Sequence, residues 1–144
     1  MERTIKLLIV DDENQILATY ESYFKKRGFQ VSLASDGEQG LNKLREGEFD
    51  VAIVDILMPK MDGIALAEHV AAEGIDTSLI ILTGHGEKEH AISAINLGGV
   101  GGWFEKATIN MDGLLQKVNE LAEVISLDQV QRILSAIPDK ERQK

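Results

Sequence analysis

Short apolar runs alternate with longer amphipathic stretches along most of the chain, and this alternation limits the fold more than any other feature of the sequence. Ile5, Leu7, Leu8, Ile9 and Val10 make the first run, over residues 5–10, and branched side chains of this kind favour a buried strand. Residues 14–26 follow with Ile16, Leu17, Tyr20 and Phe24 at helical spacing, and Gly28 is placed to stop the helix. Further strands are predicted over residues 29–34, 51–54 and 79–82, with a short fifth strand at Trp103 and Phe104 behind a glycine-rich approach. Between them, a turn at Asp36 and Gly37 leads to a helix marked by Leu41 and Leu44. A loop punctuated by Pro59 and Gly63 leads to one carrying Ile64, Leu66, Ala67 and Val70. Two more helices are expected, over residues 91–97 and 114–125. Strands alternating with helices in this way imply an α/β domain, a parallel sheet covered on both faces.

The 144 residues suit one domain of ordinary size, and 44% hydrophobic residues suffice for a core. The expected division is a main domain at 1–126 and a C-terminal amphipathic helix with a charged tail at 127–144. In that second part Val130, Ile133, Leu134 and Ile137 recur at helical spacing, Asp128 stands in a capping position and Pro138 ends the run. The formal net charge of -9 argues against direct binding to nucleic acid, where lysine and arginine supply most of the affinity. With no cysteine, the chain has no disulfide, zinc–thiolate or thiol chemistry. No run approaches the roughly 20 apolar residues that span a bilayer. The N-terminal residues carry no signal-peptide pattern. A cytoplasmic protein without membrane contact is the expectation.

In a parallel sheet the carboxyl ends of the strands share one edge, and ligands bind there. Asp11 and Asp12 follow the first strand, Asp55 the third and Thr83 the fourth; Glu105 and Lys106 follow the fifth. If the first and third strands are neighbours, three aspartates converge. Two like charges about 4 Å apart repel by a few kcal/mol at an effective dielectric near 20, so a counter-charge or a proton is required. A hard divalent cation such as magnesium suits such an oxygen site, and Lys106 adds a second positive charge. Taken singly, each residue has an ordinary explanation: a strand-end aspartate as helix cap, Thr83 as a loop hydroxyl, Lys106 as a surface lysine. Their arrival on one edge is what calls for another.

Asp55, Met58, Pro59, Asp62 and Gly63, at that spacing, together with Asp11–Asp12, Thr83 and Lys106, resemble the response regulator receiver domains of two-component signalling. The resemblance spans about residues 5–125. It implies a doubly wound, flavodoxin-like fold with a five-stranded parallel sheet. It implies that Asp55 accepts a phosphoryl group and that Asp12 binds Mg2+ directly and Asp11 largely through water. Asp55 and the backbone carbonyl of Leu57 would complete the metal site. Lys106 would pair with Asp55 and then with the phosphoryl oxygens, and Thr83 and Trp103 would form the switch. The implied partners are a sensor histidine kinase or histidine phosphotransfer protein and a downstream effector. The effector would be bound on the surface of the fourth helix, fifth strand and fifth helix by a monomer or a phosphorylation-dependent dimer. Catalysis would be limited to the chain's own phosphorylation and dephosphorylation. Leu57 and His85 would flank the path of the attacking water.

Two positions depart from the pattern. Ala107 stands where the family usually has proline, often after a cis bond. A cis bond before a non-proline residue costs roughly 2.5–4 kcal/mol, so a trans bond is the alternative. The run from Leu97 through Gly102 carries one residue more than the common pattern, and its glycines lead us to expect a mobile segment over 98–102. Other readings are a phosphorelay intermediate, a receiver cut from a larger regulator and an unrelated magnesium-dependent phosphohydrolase. The last has the least support, since no general base or substrate pocket is visible beyond the receiver set.

Overall fold

The computed structural model describes residues 4–84, 99–123 and 134–137. Its elements are β1 (Lys6–Val10), α1 (Asn14–Lys25), β2 (Gln30–Ala34), α2 (Gly37–Glu46) and β3 (Val51–Asp55). They continue with α3 (Gly63–Glu73), β4 (Ser78–Thr83), β5 (Val100–Glu105), a 3-10 turn (Lys106–Thr108) and α4 (Met111–Ala122). The helix expected over 91–97, His85 and most of 127–144 lie outside the described residues; within the last part, residues 134–136 are helical.

All five strands are parallel, in the order β2-β1-β3-β4-β5. The chain steps from β1 outward to β2 and then back across β1 to β3. Connections leaving β1 and β3 therefore diverge, which opens a crevice over the carboxyl ends of those two strands. Each strand distributes its side chains between two cores with the period of two that a pleated strand imposes. Leu8, Val10, Ala52, Val54, Leu79 and Ile81 face α2 and α3. Leu7, Ile9, Val51, Ile53, Ile80 and Leu82 face α1 and α4. Full burial of such a side chain contributes roughly 1.5–3 kcal/mol, which is why the three central strands read as nearly unbroken apolar runs.

The helix starts are written locally. Asp36 caps α2 by accepting the Gln39 N–H, Asp62 caps α3 by accepting the Ala65 N–H, and Asn110 caps α4 through the Asp112 and Gly113 N–H groups. Asp36 and Gly37, expected as a turn, are thus the cap and first residue of α2. Gly63, expected in a loop, is the first residue of α3. A Cβ on Gly63 would lie 2.5 Å from the carbonyl oxygen of Asp55, so only glycine lets α3 begin against the end of β3.

The fifth strand corrects the sequence expectation. It begins at Val100, so residues 100–102 of the glycine-rich approach are themselves strand. Leu79 pairs with Val100, but Ile80 pairs with Gly102, and the register shift between them leaves Gly101 as a bulge. Three positions separate Val100 from Trp103, a spacing that would normally turn them to opposite faces. The bulge restores both to the α2–α3 side of the sheet. A Cβ on Gly101 would meet Leu121 Cδ2 at 2.4 Å, so α4 packs directly over the bulge.

Candidate functional site

Five side chains of interest are positioned by the carboxyl ends of the strands. Asp11 follows β1 and is fully buried, Asp55 ends β3 and is 4% exposed, and Asp12 is exposed at the rim. Because β1 and β3 are neighbours, one oxygen of each of these three carboxylates lies within 4.8 Å of the other two. Thr83 ends β4, is fully buried, and donates its hydroxyl to the Phe104 carbonyl at 3.4 Å. Lys106 follows β5 and brings its ammonium into the carboxylate cluster.

The Lys106 Nζ lies 2.9 Å from Asp11 Oδ2, 3.0 Å from Asp55 Oδ2 and 3.2 Å from Glu13 Oε1. Among the described residues no peptide bond is cis. A trans Lys106–Ala107 bond therefore still delivers the amine to the cluster, with the chain turning away through a single 3-10 turn. Burial disfavours the ammonium, but Asp11 and Asp55 outweigh that and hold its pKa above the usual lysine range.

The carboxylates respond in the opposite way. Burial pushes Asp55 up to about 6; Lys106 and a backbone hydrogen bond from Leu57 pull it down, while the Asp11 charge pushes it up. Asp11 is also raised, chiefly by burial, against the pull of the Glu13 N–H and of Lys106. Among the described residues, one ammonium faces four neighbouring acids and does not neutralise them. Asp11 Oδ2 has Lys106 as an ion-pair neighbour but no aligned hydrogen-bond donor. A buried carboxylate oxygen in that position, with two further carboxylates in reach, is a donor set that fits a hard divalent cation.

Leu57, two residues past Asp55, leaves its side chain 61% exposed, a large exposed apolar group among the described residues. Trp103 is half-buried and packs on the core shared by α2 and α3. Glu13 was not singled out in the sequence. It stands beside the conspicuous Asp11–Asp12 pair, and the lysine it touches is 93 positions away. Lys60, in the loop between β3 and α3, adopts a left-handed backbone with φ 69°. Its ammonium lies 3.7 Å from Asp36 Oδ2, which ties that loop to the start of α2.

Residues 7–126 match the family model for the response regulator receiver domain. The chain belongs to that family. Solved receiver domains superpose closely on it. The receiver domain of a Francisella response regulator is 28% identical with a TM-score of 0.77, over 83% of this chain and 98% of that one. A receiver domain protein from Clostridium thermocellum is 30% identical with a TM-score of 0.76, over 82% and 94%. The receiver is also similar to a curated relative, the transcriptional regulatory protein DltR of Streptococcus agalactiae. The two are 31% identical over 94 residues, which is 65% of this chain and 42% of the relative. The match thus spans about two-fifths of the length of such relatives. No helix of this receiver domain, among the described residues, is long and apolar enough to cross a membrane.

Proposed function

We propose that Asp55 is the phosphoacceptor of a magnesium-assisted receiver, charged by the phosphohistidine of a sensor kinase or of a histidine phosphotransfer protein. The observation that carries this reading is the setting of Asp55. It is a buried strand-end carboxylate, within 4.8 Å of two others and 3.0 Å from a lysine. Asp11, Asp12, Asp55 and the backbone carbonyl of Leu57 would hold the ion. When bound, magnesium supplies charge neutralisation for the equatorial oxygens of the transferring group.

The protein's own residues account for the rest. With a pKa of about 6, Asp55 is mainly ionised at neutral pH and can act as a nucleophile. One of its oxygens forms a bond to phosphorus as the donor's bond breaks. The leaving group, imidazole or, from acetyl phosphate, acetate, departs with the bonding pair. Lys106, paired with Asp55 beforehand, then takes the phosphoryl oxygens as partners. The hydroxyl of Thr83 rests on a long hydrogen bond to Phe104, one that costs little to exchange for a phosphoryl oxygen. Trp103 would then fill the space that Thr83 vacates, changing the surface of β5, α4 and the helix expected over 91–97. That surface would engage the effector, as a population shift driven by contacts present only after phosphorylation. Residues 127–144 belong to this reading as an appended helix and tail, and the cytoplasm as its setting.

Incubation with Mg2+ and acetyl phosphate, followed by intact-mass measurement, tests the reading. A gain of one phosphoryl group, absent in Asp55→Asn and in chelator, is expected. No gain in the wild-type protein, with either acetyl phosphate or a phosphorylated histidine donor, would overturn it.

A further inference from the structure

An ammonium group has three N–H donors, and that of Lys106 has three carboxylate neighbours. Two of them, Asp11 and Asp55, have side chains 0% and 5% exposed; the third, Glu13, has a side chain 60% exposed and lies on the rim. Glu13 occupies the cap position of α1, yet its side chain caps nothing. It reaches instead across the mouth of the crevice to the lysine that follows β5.

We propose that Glu13 is a positioning residue that tethers Lys106 in the unphosphorylated protein and releases it when the lysine turns to the phosphoryl group. The inference rests on the reading of Asp55 as phosphoacceptor. The ammonium donates hydrogen bonds to Asp55 and Glu13 and is ion-paired with Asp11, so the lysine turns to a phosphoryl oxygen only as one of these contacts lets go. Asp11 and Asp55 are shut away from water, and freeing either leaves a buried charge unpaired. Glu13 is the partner whose place water can take, so its contact is the one that breaks at least cost. Glu13 also adds a negative charge facing an anionic donor, which weakens the encounter.

Two variants separate the tether from the charge. Glu13→Asp keeps the charge but is one methylene shorter. As a favoured cap residue it also turns its carboxylate to the free N–H groups of α1. Glu13→Gln removes the charge. With acetyl phosphate and Mg2+, Glu13→Asp is expected to raise the maximal rate of phosphoryl uptake roughly two- to fivefold, the scale of an exposed ion pair, with the KM for donor unchanged. Glu13→Gln is expected to raise the maximal rate and lower KM as well. In the metal-free, unphosphorylated protein, NMR relaxation of the Lys106 Cε group reports the tether directly, and this group should be more mobile in Glu13→Asp than in wild type. Unchanged Lys106 mobility in Glu13→Asp, or faster uptake in Glu13→Gln alone, would overturn the tether. Wild-type protein that takes up no phosphoryl group overturns the phosphoacceptor reading, and this role with it, even where Lys106 loosens.

Discussion

The two ends of the sheet carry similar numbers of charges and use them in opposite ways. At the amino ends of the strands a cleft of about 640 Å³ is lined by Lys6, Arg45, Asp50, Asp76 and Phe49, among others. The charges there have settled into separate local arrangements. Arg45 makes two hydrogen bonds to Glu73, at 2.7 and 2.6 Å, and the Lys6 N–H donates to Asp50. Arg45, with help from His69, holds Glu73 down at about 2, the mark of a carboxylate content with its surroundings. At the carboxyl ends, among the described residues, four acids share one lysine. Burial lifts Asp55 to about 6, so its ionised form is the costly one. Chemistry is expected where desolvated charge is left short of partners, and the amino-terminal cleft lacks that shortage.

The largest effect should come from Lys106→Met, which removes the one lysine that the described residues bring to the carboxyl-end cluster. Stripping one partner from a buried ion pair costs about 3 kcal/mol. Urea unfolding at pH 7 should show a loss of that size, recovered in part by Mg2+. A variant as stable as wild type would mean that the two ends are alike after all.

Asp55→Asn should do the reverse and stabilise the metal-free protein. The folded pKa of Asp55 lies near 6, above the ordinary value of 3.8. The native state therefore holds its proton more tightly, and stability falls as pH rises from about 4 to 6. Removing the carboxylate should flatten that slope and add about 1–2 kcal/mol at pH 7. Paired unfolding curves at pH 4.5 and 7 would show it.

Gly101→Ala tests whether the bulge depends on the packing of α4. A methyl group there meets Leu121 at 2.4 Å, and overpacking of this kind costs typically 1–3 kcal/mol. Leu121→Ala in the same chain should return part of the loss, a coupling that a double-mutant cycle would measure.

Glu73→Gln, at the amino-terminal end, should have the smallest effect of all. Both partners of its ion pair are exposed, and solvent screens the interaction. Its pKa is lowered, so whatever stability the pair adds is present above the ordinary carboxylate value of 4.5 and is lost only as pH falls through about 2. The melting temperatures of wild type and variant should track one another from pH 7 to 5.

Much of the architecture was legible because it is written in local patterns. Apolar runs of the right length marked β1, β3 and β4, and helical spacing marked α1, α3 and α4. The placing of Asp11, Asp55, Thr83 and Lys106 at or just past the carboxyl ends of the strands followed from those patterns. Other features were not legible. Asp36 and Gly37 read as a turn because cap and turn chemistry use the same residues. The run of glycines before Trp103 read as a connection because glycine has no strand preference of its own. Only pairing with β4 and the pressure of Leu121 make it strand and bulge.

By itself, then, the sequence determined which segments pair and which cover, since the periods of two and 3.6 are properties of a single segment. The tertiary structure decided how charges from distant segments divide among themselves. Nothing local to Glu13 records that a lysine 93 residues onward takes it as a third partner, and nothing local to Asp55 records that its proton is held up to about pH 6. Burial and pairing are sums over neighbours, and the neighbours exist only once the sheet has closed around them.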